Sequence, residues 1–196
     1  MRLATLTVAA TAMVALGTVP YAAGTASLAL TSARVSIEGT SNIHGYTASS
    51  TAVKIAAVDV DAAGEDVLGR ALEPNAIRAF EVIIPTASLT SPKDGIDKNM
   101  HKALKAAEYP EIRFRLRALD VAAGTATGRL TIAGVEKDVT LNIKVKRQDA
   151  GLAVTGETAL MMTDYGITPP KAMLGMLKTD PKVTITFELL LGPSLG

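Results

Sequence analysis

Residues 98–119 read KNMHKALKAAEYPEIRFRLRAL, and two periodicities meet inside them. Ile112, Phe114 and Leu116 alternate with Arg113, Arg115 and Arg117. Successive side chains of an extended strand point to opposite faces, so this is a strand with one dry and one wet side. Ahead of it, Ile96, Met100, Ala103, Leu104 and Ala107 recur at helical spacing and predict a short amphipathic helix within 92–107. Pro110 fixes the backbone between the two. A short helix feeding directly into a half-buried strand suits a β barrel. Its apolar stripe would cover an open end and keep water out.

The same alternation recurs along the chain. Val139, Leu141, Ile143 and Val145 are interleaved with Thr140, Asn142, Lys144 and Lys146, and Val183, Ile185, Phe187, Leu189 and Leu191 with Lys182, Thr184, Thr186 and Glu188. Less regular strands are expected at 33–37, 47–59, 77–85, 128–133 and 152–161. Gly-bearing turns separate them at 62–64, 122–124, 134–138 and 149–151. Half-wet strands with hairpin-sized links are antiparallel-sheet behaviour and indicate a single all-β domain, a barrel or a sandwich. A second short helix is expected within 163–183, with Thr168 as cap, Pro169 or Pro170 in the first turn, and Met173, Leu174, Met176 and Leu177 on its apolar side. In EGTSNIHGYTASS, residues 38–50, Gly39 and Gly45 are read as a bend in the first long strand, with His44 and Tyr46 beside it.

The first 26 residues read as a secretory leader. Arg2 precedes an Ala/Val/Leu-rich run, then Pro20 and small residues, with cleavage expected at 22–26 and the mature domain at 27–196. The apolar run falls short of the ~20 residues that span a bilayer, so no stable membrane span is expected. The chain has no cysteine, which leaves no disulfide, thiolate metal site or lipid attachment through a thiol. It holds 20 Lys and Arg against 19 Asp and Glu. The leader removes only Arg2, and a neutral mature chain gives no support for a nucleic-acid partner.

The catalytic inventory is short. His44 and His101 are the only imidazoles, and neither sits in a metal-ligand spacing. No nucleophile elbow or phosphate-binding glycine loop occurs. Asp94-Gly95-Ile96-Asp97 starts like a calcium loop but lacks its remaining ligands. Asp97 and Asp164 are the candidate carboxylate partners for a histidine. No catalytic residue, metal or cofactor is assigned. Methionines 161, 162, 173 and 176 crowd the last third, where thioethers can fill irregular space or adapt to a flexible apolar ligand.

Several ordered motifs resemble one family. They are Ser88-Leu89, Met100-His101-Lys102-Ala103-Leu104, Tyr109-Pro110-Glu111-Ile112-Arg113-Phe114, the run Gly128-Arg129-Leu130-Thr131-Ile132-Ala133-Gly134-Val135, and Asp164-Tyr165-Gly166-Ile167. Together they resemble the YceI-like family over about 32–191. The resemblance implies a lipocalin-like, eight-stranded antiparallel barrel with two short helical crossovers. It also implies an exported, periplasmic protein holding an isoprenoid or fatty-acid-like lipid. On that reading His44, Tyr46, His101 and Tyr165 form a polar mouth. Phe80, Met100, Leu104, Phe114, Met173, Met176 and Phe187 meet the tail. A homodimer stays open as a protein partnership. Two other functions also stay open: a filled barrel serving as an envelope stress or interaction protein, and a lipid-modifying enzyme using His44 or His101.

Overall fold

The computed structural model describes residues 27–61, 66–149, 151–172 and 176–194. The expected leader and Met173 lie outside these residues. Among the described residues ten strands occur: β1 (Leu28–Ser41), β2 (Gly45–Ser50), β3 (Lys54–Val60), β4 (Ile77–Pro85), β5 (Glu111–Asp120), β6 (Thr125–Ile132), β7 (Val135–Gln148), β8 (Gly151–Met161), β9 (Lys171–Ala172) and β10 (Leu177–Pro193). Nine of them form one antiparallel path, β2-β1-β10-β8-β7-β6-β5-β4-β3, and β9 is a two-residue flap on β10. The sheet curls so that its two ends, β2 and β3, are consecutive in the chain.

The count is nine rather than the expected eight because the strand expected at 47–59 is broken. Ser50 Oγ accepts a hydrogen bond from Ala52 N at 3.0 Å and meets Ser88 Oγ at 2.7 Å. A short polar side chain that bonds its own backbone competes with the ladder. The chain therefore turns between β2 and β3. β2 pairs β1 from Val35 to Thr40, whereas β3 pairs β4. The segment after β4 seals the seam. It makes a 3-10 turn, Thr86–Ser88, and Ser49 and Thr90 exchange backbone hydrogen bonds of 2.8 and 3.0 Å. The glycine-flanked stretch at 39–45 is a hairpin turn between β1 and β2, not a bend within one strand.

The helices differ from expectation too. α1 (Val67–Arg70) is a single turn that the sequence reading did not anticipate, and α2 (Asp94–Ala103) is the expected helix of the 92–107 stretch. The second expected helix is absent among the described residues of 163–183. They form a 3-10 turn (Met162–Tyr165), then β9 and the start of β10. Thr168 and Pro169 each precede a proline, which disfavours the helical backbone at both positions. Thr168 caps nothing, and residues 167–170 take no regular structure before β9.

The strands bury their alternating residues as expected. Two ends of the interior are closed differently. At one end Val67 and Leu68 of α1 pack with Leu28, Val60, Leu152 and Leu191. At the other, α2 lies over Leu89, Ile112, Ile132 and Ile167. Tyr109 and Pro110 anchor α2's exit to the sheet: Thr86 Oγ1 donates to Tyr109 O at 2.9 Å and Thr86 N to Pro110 O at 2.8 Å. The outer face of β4–β7 is an ion-pair ladder. Glu81 pairs with Arg113 at 3.0 Å and Arg115 at 3.2 Å, and Arg129 with Glu136 at 2.8 Å. That ladder accounts for the arginines of the quoted stretch as a solvated face.

Candidate functional site

Beneath α2 the barrel holds a chamber of about 400 Å³, within the roughly 300–1,000 Å³ of small-ligand sites. Inward positions of the strands supply its walls: Val35 and Ile37 of β1, Ile84 of β4, Ile112 of β5, Leu130 and Ile132 of β6, Leu160 of β8, and Val183 and Ile185 of β10. Ile96, Met100, Ala103 and Leu104 form the lid. No residue between Asp94 and Ala103 is fully buried, although the apolar stripe faces the barrel. The helix thus covers space rather than packing onto a filled core.

One polar atom stands out in this apolar surrounding. Tyr165 is 3% exposed and lines the chamber, and its hydroxyl has no hydrogen-bond partner among the described residues. Local geometry drives the ring inward. Met162–Tyr165 is a 3-10 turn closed by Gly166 in the left-handed region at φ 65°, with Ile167 N donating to Met162 O at 3.0 Å. Burial, and secondarily Asp164, pushes the Tyr165 phenol up to about 12, so it is a neutral donor at physiological pH. Buried polar groups are nearly always paired, and an orphan calls for an explanation such as a missing ligand or water.

The mouth lies where the β1–β2 turn, the start of α2 and the β9–β10 flap meet. Ser41, His44, Tyr46, Lys93, Asn99, Lys171 and Thr179 line the chamber there. The turn is tied to the flap: Asn42 Nδ2 donates to Met176 O at 2.9 Å, and Lys178 N donates to Asn42 Oδ1 at 2.8 Å. Tyr46 borders both the chamber and an outer groove that contains Glu38 and Asp180. Burial, with a smaller contribution from Asp180, raises its phenol pKa.

The YceI-like domain family model matches residues 25–191. The chain belongs to the YceI-like domain family. Among curated proteins none matches significantly. The fold is similar to the crystal structure of Burkholderia cenocepacia BcnA, with a TM-score of 0.64 at 19% identity over 81% of this chain and 95% of that one. It is also similar to a polyisoprenoid binding domain from Saccharophagus degradans implicated in plant cell wall breakdown. There the TM-score is 0.61 at 14% identity, covering 86% of this chain and 99% of the other. A Campylobacter jejuni YceI protein aligns with a TM-score of 0.54 at 19% identity over 74% and 82%.

In this YceI-like chain the expected ligand residues separate into groups. His44, Tyr46, Met100, Leu104 and Tyr165 all line the chamber. Tyr165 is deep within it rather than at the mouth. His101 faces elsewhere: its Nε2 lies 2.8 Å from Leu89 O, which it meets as a donor, so the ring latches α2 to the loop after β4. The Asp97 partner considered for it is engaged otherwise, accepting from Ser91 N at 2.7 Å. Met176 is 66% exposed and does not line the chamber.

Phe80, Phe114 and Phe187 line a second, smaller cavity of about 150 Å³ toward the α1 end. Val35, Ile84, Leu130 and Ile185 border both spaces. Two of these rings rest on glycines of adjacent strands, Phe114 on Gly128 and Phe187 on Gly156, where any Cβ would collide with the ring and with a neighbouring carbonyl. The aromatic layer therefore sets the depth of the larger chamber. Sequence reasoning named none of these individual aliphatic wall residues as contacts, although each lies at an inward position of the alternation. It also missed Lys93 and Lys171, which carry no pattern of their own. No cluster of three metal-ligating side chains occurs among the described residues, and no helix among them is long and apolar enough to cross a membrane.

Proposed function

We propose that this chain is an exported, non-catalytic carrier that holds an isoprenoid or other long-chain amphiphilic lipid in the chamber under α2. The observation that carries the reading is an aliphatic chamber lined in part by Tyr165, whose buried hydroxyl has no partner among the described residues. Aliphatic walls solvate a tail through loss of apolar surface from water, and a few polar groups fix its orientation. The polyisoprenoid-binding description of the Saccharophagus domain supports a prenyl tail. The leader-like start of the sequence, with Arg2, an apolar run and small residues at 22–26, supports export to the periplasm. The Phe80, Phe114 and Phe187 layer favours the filled-barrel alternative for the α1 half only.

Ala103, half-buried on the lid, gives a direct test. Ala103→Trp places an indole in the chamber while leaving the strands untouched. The delipidated wild type is expected to bind a prenyl or acyl lipid at one site, and Ala103→Trp to remain folded and bind far more weakly. Equal binding by both would remove the chamber from the account.

A further inference from the structure

The carrier reading leaves the head group open, and the charges around the chamber address it. Among the described residues five titratable side chains line it: His44, Tyr46, Lys93, Tyr165 and Lys171. None of the described lining residues is a carboxylate. Lys93 stands at the start of α2 and Lys171 on β9, both exposed, on two of the elements that frame the mouth. A lysine's aliphatic stem suits an apolar wall, and its ammonium suits a wet rim. Neither ammonium lies within ion-pair distance of a carboxylate among the described residues.

The nearby acids are turned to other work. Asp97 accepts from Ser91 N and does not line the chamber, and nor does Asp94. Asp180 accepts from Lys182 N at 2.8 Å and lies with Glu38 in the outer groove. The outer groove carries both signs, Glu38 and Asp180 with Lys182 and Lys93, whereas the described lining of the chamber, which Lys93 also borders, carries lysines and no carboxylate.

Resting on the carrier reading, we propose that the chamber prefers a lipid with an anionic head group, carboxylate or phosphate, held at the mouth between Lys93 and Lys171. A cationic head meets two like charges there. A neutral head gains nothing from the lysines, while an anion gains two ion pairs at the rim and keeps its tail among the aliphatic walls.

Matched lipids test this. Oleate and oleyl alcohol share a tail and differ in head charge at about pH 8, where a carboxylic acid is ionised. Binding to delipidated protein is measured by titration calorimetry in dilute buffer. Two exposed ion pairs predict oleate the tighter by on the order of tenfold. The gap should shrink in concentrated salt, where the Debye length falls to about 3 Å. It should vanish in Lys93→Gln/Lys171→Gln, which keeps its affinity for oleyl alcohol. Acetate should not displace oleyl alcohol, because the charge is recognised only on a held tail.

Equal affinity for the two lipids, a gap that survives the double substitution, or displacement by acetate would each overturn the proposal. If neither these lipids nor a prenyl lipid binds, the carrier reading itself falls. That outcome is distinct from binding both equally.

Discussion

Replacing Tyr165 by phenylalanine should move stability and affinity in opposite directions. The ring is 3% exposed and its hydroxyl has no partner among the described residues. A hydroxyl buried without a protein partner carries a desolvation cost of about 1–3 kcal/mol. Tyr165→Phe keeps the ring and removes the cost. The delipidated variant should gain about 1–2 kcal/mol, which raises Tm by about 3–6 °C for a domain of this size. A lipid whose polar group accepts from Tyr165 loses a hydrogen bond of about 0.5–1.5 kcal/mol and should bind roughly two- to twelvefold more weakly.

Calorimetric unfolding and lipid titration on the two proteins read both effects. The high-pH arm adds an independent check. The phenol is raised from 10.0 to about 12 in the folded state. Its contribution is whole below the unfolded value and is lost as pH rises through the folded one. Wild type should therefore decline more steeply than Tyr165→Phe between those values. A lower Tm for the delipidated variant would show that the hydroxyl is satisfied in the empty protein. An unchanged affinity for every oxygen-bearing lipid would take it out of the ligand site. Either result refutes the reasoning.

Other perturbations have defined outcomes. His101→Ala removes the Leu89 latch; stability should fall by about 0.5–1.5 kcal/mol and lipid release in stopped flow should quicken, with the bound stoichiometry unchanged. Phe187→Ala should cost about 3–5 kcal/mol in chemical denaturation, and should improve the relative affinity for longer tails by joining the two cavities. Asp66 is held below the usual carboxylate range by its hydrogen bond from Arg147, aided by Gly69 N. Partial burial acts to raise Glu81, but Arg113 and Arg115 outweigh it and hold it low as well. Depressed carboxylates contribute stability that is present above their unfolded pKa values and lost as pH falls through the folded ones. Unfolding at low pH should therefore be shallower in Glu81→Gln than in wild type.

Strand existence was legible because it depends on local alternation. The runs at Ile112, Val139 and Val183 became β5, β7 and β10, and the strand expected at 77–85 has the bounds of β4, Ile77–Pro85. The α2 stripe was legible for the same reason. What failed depends on competition between local preferences. Ser50's own hydrogen bond broke one strand into two, and consecutive prolines kept 168–170 out of the expected helix. In the site, alternation tells which face a residue takes but not how far along the barrel it sits. Phe114 and Ile112 are both inward on one strand, yet only Ile112 reaches the larger chamber. The burial of Tyr165 depends on a left-handed glycine and on distant strands, and no sequence window reports it.

The most direct test of the carrier account is the native mass of the protein isolated without detergent, compared with its denatured mass and followed by extraction of whatever is released. The account predicts an excess mass matching one prenyl or acyl lipid per chain, absent from Ala103→Trp. An empty protein that also takes up no added lipid would contradict it.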